Sequence, residues 1–229
     1  MELPMTFSLL VHDHETGTYG GAAATGSLCV GGWVLRGGLD SGLSASQGTA
    51  PSTFWGEDVL RAMRDGFTAE QAVAEITGAD PGRGHRQLSA LDLAGQSAGF
   101  TGDASVPHAS HIAEPGLVVA GNMLGGERVL PALRQGYLDA TGGMAERLLA
   151  ALRAADADAS DRRGLKSAAL LVLNPEAPPL TLRIDYAEAP LDALEALLAR
   201  ATGAPYADWL DVVPVAVDRT RAPEKAPDV

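Results

Sequence analysis

Met5-Thr6-Phe7-Ser8-Leu9-Leu10-Val11 is the stretch on which the reading of this chain turns. Thr6 to Val11 reads as a first, largely apolar strand, and it opens on a threonine placed directly after a methionine. A threonine hydroxyl is a poor nucleophile unless a base lies beside it. If everything up to Met5 were removed, the freed α-amine, with a reference pKa of about 7.7–8.0, would supply that base from the same residue. The competing reading is an ordinary strand residue that fills a space.

Working outward, His12-Asp13-His14-Glu15-Thr16-Gly17 has turn chemistry, with His12 and His14 solvated in the turn. Thr18 to Thr25 is then a second strand. Its side chains Gly20-Gly21-Ala22-Ala23-Ala24 are small enough to let another layer, or a substrate, approach closely. Leu28 to Leu35 and Ser41 to Ser46 give two more short strands. Glu57 to Asp65 has helical spacing. Thr68 with Gln71 three residues on is a capping-box pattern that starts a helix ending near Gly78. Arg86 to Asp92 and Gln96 to Thr101 form a hairpin, and Leu117 to Ala120 is a buried strand followed by a glycine-bearing loop. Two amphipathic helices follow, Glu127 to Ala140 and Met144 to Ala157. Two strands, Ser167 to Leu173 and Leu180 to Tyr186, and a last helix, Leu191 to Ala201, complete the order. Residues 218–229 read as a disordered tail, and 5–217 show no internal linker or fixed repeat.

Strands thus come in hairpins and helices in pairs, which is not the single alternation of a doubly wound parallel sheet. The fold class expected is α+β, with two stacked antiparallel sheets and helix pairs on both outer faces.

Composition bounds the function. The 229 residues are 46% hydrophobic with only 5% aromatic, and the net charge of −12 argues against a nucleic-acid partner, which requires a basic face. No run of about 18 apolar residues suggests a membrane span, and no basic leader opens the chain, so a cytoplasmic location is expected. Cys29 is the one cysteine and reads as a small buried hydrophobe.

Thr6-Phe7-Ser8-Leu9-Leu10-Val11, Gly121-Asn122-Met123-Leu124 and Asp161-Arg162-Arg163-Gly164-Leu165-Lys166-Ser167, in that order, resemble the marker segments of the domain of unknown function 1028 family. Arg86-Gln87-Leu88 followed by Gly99-Phe100-Thr101-Gly102 fits the same family. The resemblance implies a four-layer α-β-β-α sandwich similar to proteasome β-type subunits, an N-terminal-nucleophile (Ntn) hydrolase-like fold, with Thr6 at the nucleophile position. It implies little about substrate.

Around Thr6 the candidates are these. Asn122 with Gly121 resembles oxyanion-hole material, its rival role being closure of a loop. Arg36 stands in for the lysine that proteasome-type sites use to depress a nucleophile's pKa, or else makes a surface salt bridge. No lysine lies between Thr6 and Gly82, and no acidic residue between Tyr19 and Ser27, two departures from the proteasome pattern. Ser44, Ser46 and Gln47 could line the cleft. Asp161 could orient the Thr6 amine, or Arg162 or Arg163 could bind a substrate carboxylate bidentately; the rival reading is a structural charge network. His108 and His111 have chelating spacing without a third ligand cluster, so no metal and no cofactor are expected. Trp33, Phe54 and Trp55 could wall a pocket, core packing being the safer reading for Trp33. A chain starting at Met5 would lose that methionine by aminopeptidase action, since Thr6 is small. Self-cleavage of the Met5–Thr6 bond is the other route. The function expected is hydrolysis of a small amide, peptide or N-acyl compound. Its alternative is a catalytically silent member of the fold that binds a small molecule or forms a structural homo-oligomer.

Overall fold

The computed structural model describes residues 5–106, 108–158 and 164–223. The first hairpin is formed by β1 (Thr6–Asp13) and β2 (Thr18–Thr25), paired antiparallel so that Thr6 faces Thr25 and Asp13 faces Thr18. β3 (Leu35–Gly38) and β4 (Gly42–Gly48) follow a short helix α1 (Val30–Trp33). α2 (Thr53–Arg64) and α3 (Ala69–Gly78) precede β5 (Arg86–Leu91) and β6 (Ser97–Thr101). β7 (Ser110–Glu114), β8 (Leu117–Asn122), α4 (Val129–Asp139) and α5 (Met144–Asp158) come next. β9 (Ser167–Asn174), β10 (Ala177–Ile184), α6 (Pro190–Ala201) and α7 (Tyr206–Leu210) end the order.

One sheet has the strand order β10-β9-β2-β1-β8-β7, the other β3-β4-β5-β6, and every pairing is antiparallel. The two-residue period of a strand sorts each side chain into a layer. Phe7, Leu9 and Val11 of β1 pack outward among Leu130, Leu133, Leu148 and Leu152 of α4 and α5. Leu10, Leu43, Leu91 and Val118 fill the space between the sheets. Leu88 and Ala90 meet Trp55, Val59 and Val73 of α2 and α3 on the far side. The fold is therefore the four-layer α-β-β-α sandwich.

The small residues of β2 do what close approach requires. Gly20 lies against Met144 of α5, where a β-carbon would overlap the thioether. Gly42 has φ +85°, and a β-carbon there would overlap the carbonyl oxygen of Leu91 across the β4–β5 ladder. Gly42→Ala should therefore cost roughly 2–4 kcal/mol, from backbone strain and forced displacement together. Denaturant unfolding measures this, and a loss below 1 kcal/mol would mean that the ladder yields at this point.

Several local expectations are corrected. Leu28 to Leu35 is not one strand: it contains α1, because Gly31 and Gly32 lie so close to Ala169 and Arg183 that a turn of helix fits where side chains would not. α2 starts earlier than Glu57, with Ser52 accepting from the Trp55 N–H as its N-cap. The Thr68/Gln71 capping box is present on α3. β7 and α7 were not foreseen. His12 is not a solvated turn residue: it lies within β1, stacked on Tyr19 with ring centroids 4.2 Å apart. Burial, then the neighbouring His14, lower its pKa. Cys29 is only partly buried and adopts φ 60°. Residues 218–223 are tied back by Arg221, which donates to the carbonyls of Val213 and Leu210.

Candidate functional site

Three strand ends of the first sheet converge on Thr6. It pairs with Thr25 on one side and with Asn122 on the other. The alternation that buries Phe7 under the helices turns Thr6, Ser8 and Leu10 toward the second sheet. At Thr6 the two sheets part to leave a cleft of about 320 Å³, the size of a small-ligand pocket. Its walls include Thr6, Thr25, Trp33, Gln47, Thr49 and Met123, and no wall residue among those described carries a charge.

Met5 precedes this cleft without entering it. Its side chain is 1% exposed and lies in the core beside Phe7. Its carbonyl accepts from the Gly26 N–H at 3.1 Å and from the Thr25 hydroxyl at 2.8 Å. Thr25 Oγ1 lies 2.8 Å from Thr6 Oγ1 and accepts from the Ser27 N–H at 3.3 Å. Ser167 braces the same wall, donating to the Ser27 carbonyl and accepting from the Val30 N–H.

Behind Thr6 the layer between the sheets is polar. Gln87 of β5 is fully buried and donates through Nε2 to the backbone carbonyls of Gly121, at 2.8 Å, and Ser110, at 3.2 Å. Carbonyls can only accept, so the orientation of this carboxamide is fixed. Its Oε1 accordingly accepts from Gln47 Nε2 at 3.1 Å and from Asn122 Nδ2 at 2.8 Å. Thr101 Oγ1 also accepts from Gln87 Nε2 and is hydrogen-bonded to His111 Nδ1, 2.9 Å away. Burial lowers the His111 pKa. The network ties β4, β5 and β6 of one sheet to β7 and β8 of the other.

The expected site residues separate accordingly. Thr6 and Gln47 share the cleft. Asn122 ends β8 rather than lying in a loop; it is fully buried, and one of its amide N–H groups is held by Gln87. Arg36, Ser44 and Ser46 are not brought to the cleft. Leu35, Leu43 and Ala45 face the intersheet layer, so the alternate residues face α2. There Ser44 donates to the Gly56 carbonyl, Ser46 to the Ser52 carbonyl, and Arg36 lies 3.7 Å from Glu57. Asp161, Arg162 and Arg163 lie outside the described residues. Lys166 directs its ammonium to Glu188. Of the three aromatics that could wall a pocket, Trp33 lies on the cleft wall, 51% exposed and not packed in the core, whereas Trp55 is core. Among the described residues no group of three or more His, Cys, Asp or Glu could hold a metal ion.

Sequence reading passed over Thr25 and Gln87 as site residues. The hairpin holds the first signal: a turn centred between Glu15 and Thr16 puts Thr6 opposite Thr25. Gln87 and Ser89 alternate with Leu88 and Ala90 on a strand buried on both faces, which marks a polar intersheet seam. Two non-glycine residues with positive φ, Cys29 at 60° and Met123 at 53°, flank the cleft, and such strain gathers at sites where the surroundings hold it in place.

The fold is thus a four-layer sandwich of two antiparallel sheets, with a threonine opening its first strand at an intersheet cleft. The chain belongs to the family of unknown function DUF1028, whose model matches residues 6–194. It is similar to the crystal structure of protein SPO2555 from Silicibacter pomeroyi, described as DUF1028, with a TM-score of 0.93 and 51% identity over 98% of each chain. Eukaryotic HslV from Trypanosoma brucei also matches, with a TM-score of 0.44 and 17% identity over 73% of this chain and 99% of its own. No curated protein matches the chain. No helix among the described residues is long and apolar enough to cross a membrane.

Proposed function

We propose that this protein is an amide hydrolase whose nucleophile is Thr6, acting once residue 6 leads the chain. The observation that carries this reading is the Thr6 hydroxyl on the wall of an uncharged cleft, at the first residue of β1 and beside a second hydroxyl. The hydroxyl oxygen attacks a carbonyl carbon, and its proton passes to the α-amine of the same residue. Collapse of the tetrahedral species breaks the C–N bond, and that proton leaves with the departing amine. Water then cleaves the acyl ester. Asn122, held off the wall by Gln87, acts in this scheme by fixing the end of β8 next to Thr6. The neutral walls favour an uncharged amide, peptide or N-acyl group over a free carboxylate.

One observation favours a second reading, a silent binder of small molecules. Met5 is a core residue, and losing its side chain costs on the order of 2–5 kcal/mol. The two readings separate in the protein made from its own gene. Hydrolysis predicts an intact mass for a chain beginning at Thr6, and a covalent adduct on Thr6 after treatment with a β-lactone electrophile. A chain that retains Met5 and takes up no electrophile supports the silent reading.

A further inference from the structure

Thr25 Oγ1 carries one proton, and its neighbours dictate where that proton goes. The Met5 carbonyl can only accept, at 2.8 Å, so it takes the Thr25 proton. The Ser27 N–H can only donate. The remaining contact, 2.8 Å to Thr6 Oγ1, must therefore be filled by Thr6 donating to Thr25. While Met5 is attached, the nucleophile's proton points away from any base, held in a chain Thr6→Thr25→Met5 carbonyl.

Releasing Met5 removes the terminal acceptor of that chain. Thr25 is 4% exposed with Met5 in place, and losing the Met5 carbonyl deprives its hydroxyl proton of the acceptor it has there. An unmet buried donor is unfavourable, and Thr6 Oγ1 is the oxygen already within hydrogen-bond distance. We propose that this hydrogen bond reverses on release of Met5: Thr25 then donates to Thr6 Oγ1, and the Thr6 proton turns to the new α-amine. Thr25 is thus a positioning residue, and the Met5 carbonyl is a lock on the direction of the pair. The inference rests on the N-terminal-threonine reading. No proton is gained or lost in the switch. In the attack that follows, the Oγ–H bond of Thr6 breaks toward its own amine while Thr25 keeps its proton and stabilises the developing charge on Thr6 Oγ1.

The direct test is neutron diffraction of deuterated crystals of two chains, one beginning at Met1 and one at Thr6. The deuteron of Thr25 should lie toward the Met5 carbonyl in the first and toward Thr6 Oγ1 in the second. Thr6 donating to Thr25 in both forms overturns the proposal, and this readout requires no turnover. In the chain beginning at Thr6, Thr25→Val, which keeps the shape and loses the hydroxyl, should lower kcat roughly 100-fold with KM within about twofold. The basic limb of its pH profile should shift, and Thr25→Ser should restore most of the rate. Thr25→Val with parental kcat overturns the proposal even though the hydrolase reading stands. A parental Thr6-leading chain that hydrolyses nothing removes that reading, and the deuteron positions still decide the switch.

Discussion

Replacing Thr6 by alanine in a chain that begins at residue 6 should reduce amide turnover by about a thousandfold or more. Removing a covalent nucleophile has effects of this order because no other group takes over bond formation. The substitution should barely disturb folding. Thr6 gives one hydrogen bond, to Thr25, whose loss costs about 1 kcal/mol, and its side chain faces the cleft rather than the core. Thr6→Ser keeps the hydroxyl and should stay within about tenfold of the parent. The chain that carries Met5 should be as inactive as Thr6→Ala although correctly folded, because its residue-6 nitrogen is an amide and not a base. Initial rates on a panel of small N-acyl amides, with thermal unfolding measured alongside, separate these cases. Equal turnover by the parent and Thr6→Ala would sink the nucleophile assignment.

Gln87→Leu should be the most damaging single change between the sheets, lowering stability by on the order of 4 kcal/mol and the melting temperature by roughly 10 °C. Leucine fills much the same volume, so the loss is not one of packing. It strands the amide donors of Gln47 and Asn122 and the carbonyl of Gly121, all on buried residues, and removes a donor from the Ser110 carbonyl at the exposed start of β7. Gln87→Glu discriminates further. The introduced carboxyl can still accept from Gln47 and Asn122 but meets two carbonyl oxygens on its other side, so it must stay protonated to fit. Its pKa in the folded state is therefore raised above the unfolded value of about 4.3. A raised carboxyl pKa gives stability that is fully present below the unfolded pKa and is lost as pH climbs through the folded one. The variant should approach the parent near pH 4 and fall well below it at pH 8. Denaturant midpoints across that range measure the effect, and a pH-independent loss would mean that the carboxamide orientation deduced here is wrong.

Much of the fold was legible because hairpins announce themselves. The turn chemistry from Asp13 to Gly17, the small residues of β2 and the Thr68/Gln71 box each specify local structure with little help from distant parts of the chain. Elements held by their neighbours were not legible. β7 has weak alternation and owes its form to pairing with β8, and α1 exists because Gly31 and Gly32 lie against β9 and β10 residues far away in sequence. At the candidate site, residue chemistry singles out Thr6, and the strand end Ser44 to Gln47 is expected at the cleft as a group, of which Gln47 lines it. Ser44, Ser46 and Arg36 were assigned to the cleft because a strand covered on both faces gives no outward sign of which parity looks inward. Their polar groups are satisfied by α2, not by solvent or by a ligand. Thr25 and Gln87 required register and partner lists, which only the assembled sheets supply.

The position of β2 has a consequence for biosynthesis. Its inner neighbour, β1, leaves the ribosome just ahead of it, but its outer neighbour, β9, begins only at Ser167. For much of translation the Thr18–Thr25 edge must wait unpaired, with a flat glycine- and alanine-rich backbone open to any strand that meets it. Such long-range closure makes for slow folding and a late commitment of the central sheet. A nascent chain that stops short of Ser167 would be a candidate for chaperone capture, whereas completion of β9 seals the exposed edge in one step.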